Sequence, residues 1–153
     1  DNRVHFKQDI EQLIGSKPIQ FQIIDSIFKK HSRDSTKMKV LISTSKAINY
    51  IEGENYGLNA LGTIYRNISH YETSIETHKK ANALLNNSIN IEFRINGLNN
   101  IGVAYRRMDL VKPALDFHAK ALYIASSIKN PSKTISHNIS KQHRYYLSHI
   151  RTV

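Results

Sequence analysis

Gly57-Leu58-Asn59-Ala60-Leu61-Gly62-Thr63-Ile64-Tyr65-Arg66 and, 40 residues on, Gly97-Leu98-Asn99-Asn100-Ile101-Gly102-Val103-Ala104-Tyr105-Arg106 are two versions of one phrase. The likeness continues downstream, where His78 answers to His118 and Lys80-Ala81 to Lys120-Ala121. Positions 57–81 thus hold nine identities with their counterparts (57, 58, 59, 62, 65, 66, 78, 80 and 81). Ordinary composition would give roughly one or two. Leu61 with Ile101, Ile75 with Leu115, Glu76 with Asp116 and Leu84 with Ile124 are conservative pairs. A fixed period of this length is the mark of a repeat architecture, and it is the strongest signal in the chain.

Each unit reads as two helices. Leu58, Leu61, Ile64 and Tyr65 recur at helical spacing until Asn67-Ile68-Ser69 breaks the pattern. A second helix starts near Tyr71, with Ile75, His78, Ala81 and Leu85 on one stripe. The next unit repeats this with Leu98, Ile101 and Tyr105, a break at Met108-Asp109-Leu110, then Leu115, His118, Ala121 and Leu122. Pro113 falls in the first turn of that helix, where a missing N–H costs nothing. Gly62 and Gly102 lie mid-helix at a cost of about 1 kcal/mol each against alanine. Their shared register predicts a close crossing by the partner helix, with Ala81 and Ala121 opposite and Tyr65 and Tyr105 filling the core one turn on.

Leu58-x-x-Leu61-Gly62-x-x-Tyr65 followed by Ser74, His78 and Ala81 resembles the tetratricopeptide repeat. So does Leu98-x-x-Ile101-Gly102-x-x-Tyr105 followed by Ala114, His118 and Ala121. The long spacing is similar to that of LGN/Pins and kinesin light chain repeats, and of repeats in bacterial sensors and peptide-responsive regulators. Ser74 in place of a small alanine, and histidine where an aromatic is commoner, depart from the pattern. The resemblance implies an all-α fold, a right-handed superhelical stack of antiparallel helix hairpins. It covers residues 55–125 strongly and the flanks weakly.

The expected organisation is one domain over 1–153. Residues 1–16 form an N-terminal helix, with Phe6, Ile10, Leu13 and Ile14 on one stripe ended by Gly15-Ser16-Lys17-Pro18. It is either a cap or the second helix of a preceding repeat. Residues 19–54 form a divergent repeat, in which Ile24, Ile27 and His31 fall where Leu58, Leu61 and Tyr65 stand at a 34-residue offset. Phe28 takes the glycine position, so this hairpin is expected to pack more loosely. Asp34 or Ser35 caps its second helix, which carries Leu41, Ile48 and Ile51 and is expected to close at Gly53. Repeats follow at 55–94 and 95–131. Residues 132–153 form a last helix, capped by Ser132 and striped by Ile135, Ile139, Tyr146 and Ile150, which is either a cap or a truncated repeat. The opening Asp1-Asn2-Arg3 reads as the start of a fragment or processed form.

Composition narrows the chemistry. There is no cysteine, which removes disulfides, thiolate nucleophiles and cysteine-ligated zinc and leaves the compartment undecided. No apolar run approaches the roughly 18 residues of a membrane span. Of the eight histidines, His78 and His118 repeat as packing residues. His137, His143 and His149 are spaced six apart, unlike the i, i+4 ligands of a helical metal site. No glycine-rich phosphate loop and no nucleophile motif is present, so neither a catalytic residue, a metal nor a cofactor is assigned. The formal charge of +10 favours acidic partners. Scattered lysines and arginines, without a basic stripe or stacking aromatics, argue against nucleic acid.

The resemblance also implies where a ligand sits. In tetratricopeptide proteins the first helix of each pair lines the concave face, and positions 2, 5, 6, 9, 12 and 13 of each repeat meet a bound peptide. Counting from Asn55 and Ile95, the lining set is Tyr56, Asn59, Ala60, Thr63, Arg66 and Asn67, then Asn96, Asn99, Asn100, Val103, Arg106 and Arg107. Asparagine amides suit an extended peptide backbone, and arginines suit carboxylates. Asn59 with Asn99 and Arg66 with Arg106 repeat although the helical pattern gives them no packing role. The expected function is a non-enzymatic scaffold for an acidic or carboxylate-ended protein or peptide segment. Repeats of this wording resemble those that precede output domains in bacterial regulators, which implies a sensory or adaptor module. Self-association through the end helices, forming a homo-oligomer, is the alternative.

Overall fold

The computed structural model describes residues 2–85 and 90–127. Every regular element among them is helical: α1 (Asn2–Ser16), α2 (Phe21–Phe28, continued by a 3-10 turn at Lys29–His31), α3 (Ser35–Ala47), α4 (Ile51–Asn67), α5 (Tyr71–Ala83), α6 (Ile91–Arg107) and α7 (Val111–Ser126). From α3 to α7 each helix packs most closely on its neighbours in the chain, and α4 also touches both α2 and α6. The residues expected in a last helix, 132–153, lie outside the described residues, as do His137, His143 and His149.

Three inter-helix turns share one construction. Asn49, Ser69 and Asp109 adopt left-handed backbone, with φ of 57°, 66° and 59°. In each the next residue's N–H reaches back five positions: Tyr50 to the Ser45 carbonyl, His70 to Tyr65 and Leu110 to Tyr105, at 2.8, 2.8 and 3.0 Å. The left-handed residues themselves bond the carbonyls of Lys46, Arg66 and Arg106. This is the Schellman motif, which satisfies carbonyls a helix end would otherwise strand. It falls at both breaks read from the sequence, and also at Asn49, where the sequence pointed elsewhere. Gly53 was expected to end the second helix; instead α3 ends at Ala47 and Gly53 lies inside α4, buried against Ser45 and Tyr50. Asparagine tolerates the left-handed region and needs no glycine there. Ile51, assigned to the earlier helix, opens α4 and is 40% exposed.

The core is a chain of clusters. Leu13, Ile24, Phe28, Met38, Leu41, Tyr50, Tyr56 and Phe93 form the largest, joining α1 through α4 to the start of α6. Ile95, Leu98, Ala121 and Ala125 bind α6 to α7, and Ile75, Ile101 and Ala104 bind α5 to α6. Phe28 sits at the centre of the first cluster, edge-on to Phe6, His31 and Tyr56. Its bulk keeps α2 from the close approach that glycine gives the later hairpins, and α2–α3 is not among the tightest helix pairs. The N-terminal helix docks through its stripe and one polar contact: buried His31 meets Asp9 at 2.7 Å, with Lys30 at 3.1 Å from the same oxygen. Burial alone would raise the Asp9 pKa, but hydrogen bonds from His31 and Lys30 outweigh it and hold the carboxyl below its ordinary value. The Asp34 side chain caps α3 by accepting from the Lys37 N–H at 3.1 Å.

The two mid-helix glycines face a different neighbour from the one expected. A Cβ on Gly62 would stand 2.7 Å from the His78 ring, and one on Gly102 would stand 2.5 Å from that of His118. The histidines, not Ala81 and Ala121, occupy the space the glycines open. Tyr65 and Tyr105 are half-buried; Tyr105 packs against the Ile75, Ile101 and Ala104 cluster and stacks on Phe117 with ring centres 5.6 Å apart, and Lys79 lies over both rings. Leu122, placed on the apolar stripe by its spacing, is exposed. Ser74 is fully buried and donates to the Gly62 carbonyl at 2.7 Å, which explains how a hydroxyl replaces alanine at a close helix crossing.

Candidate functional site

The helices α2, α4 and α6 lie side by side and enclose a groove of about 670 Å³. Residues expected to line it from the repeat register do so: Asn59, Thr63, Arg66, Asn96, Asn99, Asn100, Val103, Arg106 and Arg107 all face this space, with Tyr56, Ala60 and Asn67. One helical face puts them there, since steps of three, four and seven residues return to the same side of a helix.

Their roles divide more finely than the sequence implied. Asn59 is held inside the fold. Its side-chain oxygen contacts His78 Nδ1 at 2.8 Å, and its amide donates to Asn55 at 3.0 Å. Asn55, completely buried, donates in turn to the Ala81 carbonyl of α5 at 2.8 Å. The chain His78–Asn59–Asn55–Ala81 is therefore an interhelical bracket, and the expectation that Asn59 lacks a packing role is corrected. Asn99 begins the same bracket, with its oxygen 2.9 Å from His118 Nδ1. But the position matching Asn55 is Ile95, which offers no acceptor, so the bracket stops and the Asn99 amide N–H₂ is left facing the groove. Thr63 returns its hydroxyl to the Asn59 carbonyl at 3.1 Å.

This bracket settles the histidine tautomers. An asparagine oxygen only accepts, so Nδ1 carries the proton in both rings and Nε2 is a bare acceptor. The Nε2 of His78 is buried without a hydrogen-bond partner. Burial, and then the nearby Arg66, drives the His78 pKa down to about 3; burial and Arg106 drive that of His118 down to about 4. These are neutral structural histidines. Among the described residues no group of three or more His, Asp or Glu converges as a metal site would require.

At one end of the groove the charge is positive. Arg33, in the turn after the 3-10 segment, and Arg66, Arg106 and Arg107, in the last turns of α4 and α6, line it. Arg66 is half-buried, and its Nε and Nη1 are shielded from solvent with no hydrogen-bond partner. Burial lowers its pKa, and Arg107 and Arg106 lower it further by repulsion. Such convergence is costly unless an anion is supplied. The opposite end is acidic and aromatic. There α2 reaches across α4 to α6: Gln22 donates to Glu92 at 2.7 Å, and Phe21 stands edge-on to Phe93 at 5.5 Å. Beneath them Tyr56 donates to Asp25 at 2.8 Å. Burial and the Asp25 carboxylate push the Tyr56 pKa well up, so the hydroxyl stays protonated as a donor.

The contribution of α2 was missed. The signal was present, because the same 34-residue offset that aligns Ile24 with Leu58 carries Tyr56, Asn59, Arg66 and Asn67 onto Gln22, Asp25, Ser32 and Arg33. All four line the groove. Comparison with known protein families, characterised proteins and solved structures returns no match for this chain.

Proposed function

We propose that the chain is a tetratricopeptide-type helical solenoid. It acts as a non-enzymatic scaffold and binds an extended protein or peptide segment, acidic or carboxylate-ended, in the α2/α4/α6 groove. It serves as the sensory or adaptor module of a larger signalling protein. The observation that carries the reading is half-buried Arg66, its Nε and Nη1 shielded from solvent without a hydrogen-bond partner, beside Arg106 and Arg107 along the groove. A carboxylate there would accept charge-assisted hydrogen bonds and relieve the repulsion among three cations. The Asn99 amide, its orientation held by His118, supplies a donor for a peptide carbonyl along the groove.

The test titrates the protein into a fluorescein-labelled pool of acidic octapeptides with free C-termini and follows anisotropy. Losing hydrogen bonds to a charged group costs about 1.5–3 kcal/mol, so Arg66→Gln with Arg107→Gln weakens binding by about 10- to 100-fold. Equal binding by wild type and variant would remove the groove from the account, and absence of binding by the wild type would remove the scaffold reading. Self-association is a second reading, favoured by Leu122 and Tyr123, which stand 39% and 77% exposed on α7. Sedimentation at two concentrations separates it from a monomeric scaffold.

A further inference from the structure

The groove is not uniformly basic, and its polarity sets a requirement on the ligand. At one level of the three groove helices stand Asp25, Asn59 and Asn99, related by the repeat register. Two are neutral amides engaged by histidines, and the third is a carboxylate. Asp25 spends one oxygen on the Tyr56 hydroxyl, and its half-buried side chain borders the groove. Glu92 lies at the same end, bridged to α2 by Gln22. Arg66 sits seven residues beyond the level of Asp25 and Arg106 fourteen beyond Glu92, so the acidic and basic groups stand at opposite ends of the groove.

From these facts we infer that the groove reads an amphoteric segment, whose carboxylate lies among Arg66, Arg106 and Arg107 and whose cationic group, an amine or guanidinium, lies against Asp25 and Glu92. The inference rests on the scaffold reading above and adds to it a second subsite, a ligand polarity and a spacing. The seven residues from the level of Asp25 (Asn59 on α4) to Arg66 correspond to about 10 Å of helix, and the fourteen from Glu92 to Arg106 to about 21 Å, at about 1.5 Å per residue. An extended chain advances about 3.3 Å per residue, so the two charges of the ligand stand about three to six residues apart. Aromatic Phe21, Tyr56 and Phe93 form the wall beside the acidic end, suited to the aliphatic stem of a lysine or arginine. The groove charge, four arginines against two carboxylates, still favours a segment of net negative charge.

The experiment selects a displayed library of random octapeptides with free C-termini on three proteins: wild type, Asp25→Asn/Glu92→Gln, and Arg66→Gln/Arg107→Gln. Asparagine at 25 reproduces the residue present at 59 and 99 and still accepts from Tyr56, while glutamine at 92 still accepts from Gln22, so the fold is retained; circular dichroism verifies this. Wild type is expected to enrich lysine or arginine three to six residues from the terminal carboxylate or an acidic side chain. The Asp25→Asn/Glu92→Gln variant is expected to lose that cation preference at least fivefold while keeping the anion preference. Acidic peptides enriched without a spaced cation, or a cation preference that survives in the variant, would overturn the inference and leave the scaffold reading standing. No enrichment by the wild type would overturn the scaffold reading itself. Enrichment that the arginine variant leaves unchanged would relocate the anion subsite and overturn the assigned polarity.

Discussion

Acid should unfold this protein through two buried histidines. His78 and His118 are buried as neutral rings, with pKa values near 3 and 4 in the folded chain against about 6.5 unfolded. The folded values lie below the unfolded one, so the unfolded chain takes up protons first. Stability is complete above about pH 7.5 and falls as pH drops through 6.5 toward 4 and 3. At pH 5.5 an unfolded histidine is about ten-elevenths protonated and the folded one scarcely at all. The linkage is RT ln 11, or on the order of 1 kcal/mol per histidine and roughly 3 kcal/mol for the pair. Each further pH unit costs about 1.4 kcal/mol per ring. The two rings together can withdraw at most roughly 8 kcal/mol, enough to unfold a domain in the lower part of the ordinary range of about 5–15 kcal/mol. Urea denaturation followed by circular dichroism at pH 7.5 and 5.5 measures the drop. The control is His78→Asn with His118→Asn, in which the new amide can keep the Nδ1-type hydrogen bond to Asn59 or Asn99 without titrating. Both proteins share the same carboxylates, so the difference between their drops isolates the histidines. A double variant that loses as much stability as wild type between the two pH values would refute the assignment.

The glycine–histidine contacts predict that Gly62→Ala and Gly102→Ala each destabilise by about 1–3 kcal/mol, because the new methyl collides with a confined ring; the helix-propensity gain of about 1 kcal/mol offsets only part of this. A rise in thermal midpoint on either substitution would show that the rings have room to move. Asn55→Ala is expected to cost about 1–3 kcal/mol by chemical denaturation, since it strands the Asn59 amide and removes one of the two donors to the Ala81 carbonyl, leaving only the Leu84 N–H. The matching Ile95→Ala breaks no such bracket and costs about 2–5 kcal/mol through a cavity. A double-mutant cycle of Asn55 with His78 then reports coupling, whereas one of Ile95 with His118 reports little.

Much of the helical order was legible because it rests on local rules. The 3.6-residue recurrence of Leu58, Leu61 and Ile64 marks α4, the tripeptides around Ser69 and Asp109 mark two turns, and Asp34 marks a cap. The groove face was legible for the same reason, since a repeat register places Asn59, Arg66, Asn99 and Arg106 on one side of their helices. Gly53 misled because glycine serves close packing inside a helix as readily as it serves a helix end, and only the neighbouring Ser45 and Tyr50 decide which.

The sequence by itself determined most of the helices, the pairing of the repeats and the sides of α4 and α6 that meet the groove, because periodicity of three and four residues is a property of single segments. Only the tertiary structure decided what those residues do. That Asn59 closes an interior bracket while its twin Asn99 keeps an amide toward the groove depends on Asn55 against Ile95, one turn away, and on histidines 19 residues on. That α2 reaches α6 and gathers Asp25 and Glu92 at one end, opposite the arginines, depends on the bulk of Phe28 and on rings meeting across α4. Contacts between residues far apart in sequence leave no period behind, so their chemistry appears only when the helices are packed.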